Sequence, residues 1–195
     1  MTAGALLLTP GAGSDRDQSS LVALETALAP LPVARVDFPY RREGRRAPDR
    51  APKLIACVRE EAAALVERAH IAPDHLVLGG RSMGGRMCSL AVAEGLPAAG
   101  LILISYPLHP PGRPDQLRVD HFPQLRVPCL FVSGTRDPFG SPDELTSHTS
   151  AIRGRVTHVW LDGKGHDLRR GDDAIVAAVS EWLATLAKRA RRPRG

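Results

Sequence analysis

The sequence predicts an α/β fold: an open, mostly parallel sheet of about six strands with helices on both faces. Three observations carry that expectation. Apolar runs of strand length recur along the chain, and segments of helical period separate them. The runs are also continuously apolar rather than alternating, as strands covered on both faces must be. Strands and helices in this alternation assemble into a parallel sheet by right-handed crossovers.

In chain order the strands are Ala5 to Thr9, Val33 to Phe38, Leu76 to Gly79, Gly100 to Ser105, Cys129 to Ser133 and Thr157 to Leu161. Ser20 to Leu28 reads as a short helix closed by Ala29-Pro30. Lys53 to His70 places Leu54, Ile55, Val58, Ala62, Leu65, Val66 and Ala69 on one stripe, so this helix packs on the sheet. Met87 to Ala93 suits a helix, and Asp143 is expected to cap another in Ser141-Pro142-Asp143-Glu144. Asp172 or Asp173 can cap the last helix, where Ile175, Val176, Val179, Trp182, Leu183 and Leu186 recur at steps of three and four.

A chain of 195 residues suits one domain, assigned to residues 1–188, with a basic tail over 189–195. No segment approaches the roughly 18 consecutive apolar residues that would span a bilayer, so no membrane association is expected. Thr2 to Thr9 is too short for a secretory signal, and a cytoplasmic location is the expectation. Cys57, Cys88 and Cys129 are odd in number and lack CxxC spacing, which points to core thiols rather than disulfides or a metal site. The net charge of +5 comes largely from arginine, including Arg41, Arg42, Arg45 and Arg46. Nucleic-acid binding would call for aromatics among the basic residues, and aromatics make up only 4% of the chain, so no nucleic-acid partner is expected.

The chemistry is concentrated in Gly80-Arg81-Ser82-Met83-Gly84, directly after the strand Leu76 to Gly79. A serine on a sharp strand-to-helix turn needs small residues two before and two after it, because side chains there would strike the neighbouring strand and helix. Gly80 and Gly84 fill those places. A serine hydroxyl is a weak nucleophile at neutral pH, so it needs a base and a group to orient that base, in the chain order Ser, acid, His. Asp137, past the strand Cys129 to Ser133, and His166, past Thr157 to Leu161, meet that order. Asp137 before Pro138 also suits a plain turn, and Asp143, Asp162 and Asp167 are competing acids.

Acyl chemistry further needs donors for an oxyanion, for which the amides of Met83 and Ala12 are the candidates. Ala12 lies in the loop Pro10-Gly11-Ala12-Gly13-Ser14 after the first strand. With Asp37 at the end of the next strand, that loop also imitates a dinucleotide-binding fingerprint. The imitation is incomplete, since the third glycine of GxGxxG would fall at Arg16.

Pro10 to Ser14, Phe38-Pro39-Tyr40 with Arg46-Ala47-Pro48-Asp49-Arg50, Gly80 to Arg86 and Tyr106 to Gly112 together make the chain resemble the minimal alpha/beta hydrolases. That branch includes dienelactone-hydrolase-like bacterial proteins and relatives in a nonspecific-lethal chromatin complex and a testis-expressed protein. The resemblance covers almost the whole chain. It implies an esterase-like core, and the ordered Ser82, Asp137 and His166 with their two candidate oxyanion donors point to cleavage of small-molecule esters or thioesters through an acyl-serine, with no cofactor and no metal expected. Some relatives of such folds act instead as binding or scaffold modules. Two departures stand out: dienelactone hydrolases use a cysteine where Ser82 stands, and Pro10 replaces the histidine usual before the oxyanion-loop glycine.

Only about twenty residues separate Ser105 from Cys129, too few for a lid domain, so an open, shallow pocket is expected. His109 and Phe122 in this proline-rich crossing are candidates to line the acyl site. Arg81, together with Arg41 to Arg46, is a candidate to favour an acidic substrate. A monomer or homodimer is expected.

Overall fold

The computed structural model describes residues 3–190, with side chains through residue 187. Six strands form one sheet in the order β2-β1-β3-β4-β5-β6, and every neighbouring pair is parallel. They are β1 (Ala5–Thr9), β2 (Val33–Arg35), β3 (Leu76–Arg81), β4 (Gly100–Ile104), β5 (Cys129–Gly134) and β6 (Val156–Leu161). The helices are α1 (Ser19–Ala27), α2 (Pro39–Arg42), α3 (Ala51–Ala69), α4 (Met83–Ala93), α5 (Pro142–Thr149) and α6 (Asp172–Ala190).

Apolar runs without polar alternation become central strands because each face has its own core. Along β1, Ala5 and Leu7 join α3 and α4 on one side, whereas Leu6 and Leu8 join α1 and α6 on the other. Along β4, Leu101 and Leu103 take the first side and Ile102 and Ile104 the second. Every residue of β1, β3, β4 and β5 is buried, as a sheet sandwiched between helices requires.

Several boundaries differ from the sequence expectation for identifiable reasons. β2 stops at Arg35 rather than Phe38: the Val36 amide makes one more bond to the Leu8 carbonyl at 3.1 Å, and Pro39 then opens the short α2 as its first residue. At α5 the cap is Ser141, not Asp143. The Ser141 hydroxyl accepts from the Glu144 amide at 3.3 Å, and the Glu144 carboxylate accepts from the Ser141 amide at 2.9 Å, a reciprocal capping box. His75 sits in a 3-10 turn, Pro73–His75, ahead of β3. The helix α6 extends through Ala190, and the basic tail expected from 189 lies outside the described residues from 191 on.

No described helix is long and apolar enough to cross a membrane. Residues 105–128 form a crossing that folds back onto the core through Tyr106, Leu108, Phe122 and Leu125, and among the described residues no cap domain covers the strand ends. All three cysteines are free and buried. Burial pushes the Cys57 thiol up to about 11 and those of Cys88 and Cys129 to about 12. Thiolate is the reactive form. Iodoacetamide at neutral pH is therefore expected to leave the folded protein unmodified and to alkylate all three after denaturation, read by intact mass.

Candidate active site

Ser82 stands between the last residue of β3 and the first of α4, with φ 49° and ψ −116°. Its amide donates to the Ile104 carbonyl at 2.8 Å, which ties the turn to β4. The close approach of β1 explains the flanking glycines. A Cβ at position 80 would lie 2.2 Å from Thr9 Oγ1 and 2.5 Å from the Thr9 carbonyl oxygen, and one at position 84 would lie 2.5 Å from the Pro10 carbonyl oxygen. Only glycine fits either place with the backbone where it is.

The loops after β5 and β6 bring the other two residues to the same edge of the sheet. Ser82 Oγ is 2.8 Å from His166 Nε2, and His166 Nδ1 is 2.9 Å from Asp137 Oδ2 and 3.0 Å from Oδ1. These partners define the tautomer: Nδ1–H donates to the carboxylate, leaving the Nε2 lone pair for the serine hydroxyl. The Asp137 side chain is only 1% exposed, so its charge acts on the imidazole with little screening from water. Asp137 Oδ1 also accepts from the Phe139 amide at 2.9 Å, so it closes a local turn as well as holding His166. The competing acids are engaged elsewhere: Asp162 accepts from the Thr135 hydroxyl, Asp167 from the Arg169 amide, and Asp143 lies in the first turn of α5.

A cleft of about 600 Å³ opens at Ser82. Gly11, Ala12, Met83, Pro107, Phe139 and His166 are among the residues that line it. Met83 is the first residue of α4, so its N–H has no partner within the helix. The Tyr40 hydroxyl donates to the Ala12 carbonyl at 2.8 Å, which fixes the loop that carries the Ala12 amide. Among the described residues no group of three or more His, Cys, Asp or Glu could hold a metal ion.

A family model described as an alpha/beta hydrolase domain matches residues 2–190. The chain belongs to the alpha/beta hydrolase family. Solved structures give the same fold. One of LipS and LipT, two metagenome-derived lipolytic enzymes, is 16% identical, with 94% of this chain and 96% of that one aligned at a TM-score of 0.75. Dienelactone hydrolase from Anabaena variabilis is 18% identical over 94% of this chain and 87% of its own, with a TM-score of 0.75. The type II thioesterase BorB of the borrelidin biosynthetic cluster is 22% identical over 93% of each chain, with a TM-score of 0.67. At such identities the likeness is one of fold.

In this alpha/beta hydrolase the remaining sequence candidates part company. Phe122 is fully buried, its ring against Tyr106 and Phe131, and it does not reach the cleft. His109 is 5% exposed and also lies outside the cleft lining, with Nδ1 on the Pro110 carbonyl at 2.8 Å and Nε2 3.4 Å from Glu144. Both brace the crossing after β4 instead of lining an acyl site. Arg81 does line the cleft, but its guanidinium donates to the His166 carbonyl at 2.9 Å and so holds the histidine loop. Burial lowers its pKa, and Asp172, Asp167 and Asp137 oppose that. Arg41, Arg42 and Arg45 pair with Asp15, Glu61, and Glu43 and Asp49, respectively, so their charge is met within the protein.

Sequence reasoning missed Phe139, whose ring lies 4.0 Å from that of His166, centroid to centroid. Its position two residues past Asp137 was the available signal. It also missed Arg86 and Arg118, which line the cleft. Arg86 falls four residues after Ser82 on α4, a spacing that puts both on one helical face. Arg118 had no local signal, because the crossing that carries it has no period.

Proposed function

We propose that the chain is a serine hydrolase that cleaves small esters or thioesters through an acyl-Ser82 intermediate. The observation that carries the reading is the hydrogen-bond chain from Ser82 Oγ through His166 to Asp137, with 2.8 Å and 2.9 Å links, at the mouth of a cleft. His166 Nε2 takes the hydroxyl proton as Oγ attacks the substrate carbonyl carbon, and the Asp137 carboxylate stabilises the resulting imidazolium. The Met83 and Ala12 amides are assigned to the developing oxyanion. Collapse expels the alcohol or thiol, which receives the proton from His166. Water then repeats the sequence on the acyl-serine and frees the acid.

A cleft of about 600 Å³ suits a small ligand, and pockets of this kind run roughly 300–1,000 Å³. The lipolytic enzyme and the thioesterase among the fold neighbours lend the substrate class support by analogy. A fluorophosphonate probe is expected to add one adduct to the folded protein, mapped to Ser82 by peptide mass spectrometry and lost in Ser82→Ala. Folded protein without the adduct would overturn the hydrolase reading and leave the fold as a binding module.

A further inference from the structure

Two arginines at the cleft have no ion-pair partner among the described residues, although the Asp167 side chain also lines the cavity. Arg86 and Arg118 line the same cavity as Ser82 and Met83. The Nε of Arg86 is buried without a hydrogen-bond partner, so the protein leaves part of this guanidinium's donor capacity unused. Among the described residues no carboxylate lies within ion-pair distance of either guanidinium, in contrast to Arg35, Arg41, Arg42, Arg45 and Arg59, which all have one.

The pair is also held in place. The Arg118 amide donates to the Leu108 carbonyl at 2.9 Å, and its own carbonyl accepts from the buried Tyr106 hydroxyl at 2.6 Å. Arg86 is fixed by α4, within a turn of Ser82. Burial and the charge of Arg86 both lower the Arg118 pKa, and the same two influences hold the adjacent His121 down at about 4. A neutral His121 adds no charge to the pair, and its Nε2 is satisfied by Ser89 Oγ at 2.8 Å.

We propose that Arg86 and Arg118 form an anion subsite of this cleft, taking a carboxylate carried by the substrate alongside the scissile bond. The inference rests on the hydrolase reading and narrows it to esters or thioesters with a free carboxylate, in either the acyl or the alcohol portion. Guanidinium forks suit the two oxygens of a carboxylate, and charge-assisted hydrogen bonds of this kind are about twice as strong as neutral ones.

The test compares charged with neutral esters. Monoethyl adipate against diethyl adipate places the carboxylate on the acyl side, and 4-acetoxybutyrate against butyl acetate places it on the alcohol side. One of the two charged esters is expected to exceed its neutral counterpart in kcat/KM by about 10- to 100-fold, through KM. In Arg86→Gln and in Arg118→Gln the ratio should fall toward one, and which pair shows the preference locates the carboxylate. Equal rates within both pairs, or a ratio unchanged in both variants, would overturn the subsite while leaving the hydrolase reading intact. If no ester is turned over, calorimetry of adipate with Ser82→Ala protein decides the subsite without catalysis. Affinity about 10- to 100-fold weaker in Arg118→Gln would sustain it, and equal or absent binding would sink it.

Discussion

Ser82→Gly is expected to remove ester hydrolysis and at the same time leave the protein more stable than Ser82→Ala. The two variants lose the same hydroxyl, and with it both the proposed nucleophile and the 2.8 Å contact to His166 Nε2. Knocking out the nucleophile of a serine triad lowers kcat by about 10⁶-fold in the best-studied case, and a fall of about 10³-fold or more is expected in both variants. Where the variants differ is the backbone. At φ 49° and ψ −116° a residue with a Cβ is held in a sparsely populated region, at a cost of about 1–3 kcal/mol. Glycine removes most of that strain and gives back about 0.5–1 kcal/mol through the freedom of its unfolded chain. The glycine variant should therefore exceed the alanine variant by about 1 kcal/mol in denaturant unfolding, the reverse of what a helix or strand would show. An alanine variant as stable as the glycine one would mean that the turn stores no strain. Activity within tenfold of wild type in either variant would remove Ser82 from the chemistry.

The parts of this architecture that sequence made legible are those governed by local rules. Continuous apolar runs mark central strands because both faces of Leu6–Leu8 or Leu101–Ile104 meet helices, and no polar alternation survives there. The elbow is legible because its glycine spacing is written within five residues, even though the atoms that demand it belong to β1 and the residue after it. What escaped is set by packing between distant segments. Residues 105–128 have no period to read, so nothing local could tell that Phe122 turns inward onto Tyr106 and Phe131 while Arg118, four residues earlier, faces the cleft. Ion pairing is equally remote from sequence. Arg41, Arg42 and Arg45 are met by carboxylates and Arg81 is engaged by the carbonyl of His166, whereas Arg86 and Arg118, which line the cleft, have no ion-pair partner among the described residues. The choice of Asp137 over Asp143, Asp162 and Asp167 rested on chain order. The structure adds the geometry: only Asp137 faces the His166 ring, while the other three are occupied in turns or at a helix start.

Gly80→Ala is expected to destabilise the fold by about 3 kcal/mol, at the upper end of what overpacking costs. The added Cβ would meet Thr9 Oγ1 at 2.2 Å, the Thr9 carbonyl oxygen at 2.5 Å and the Gly85 amide nitrogen at 2.9 Å. Two of those three atoms are backbone, and the third belongs to a fully buried threonine whose hydroxyl is already spent on the Gly79 carbonyl. Rotating Thr9 away would relieve one contact and break that hydrogen bond. Moving the backbone instead would pull β1 from β3 at the register pair Thr9 and Gly80, and it would shift Ser82 relative to His166. Activity should thus decline along with stability, even though position 80 touches no substrate. Gly13→Ala is the control, since nothing lies within 4 Å of its added Cβ and its φ is not positive. Replacing a glycine at such a compatible site stabilises by about 0.4–1 kcal/mol or is neutral. Urea midpoints for the two variants should therefore move in opposite directions or differ by well over 2 kcal/mol in extrapolated stability. Equal midpoints would show that β1 and the elbow can separate without penalty, and the close approach that places Ser82 would lose its physical basis.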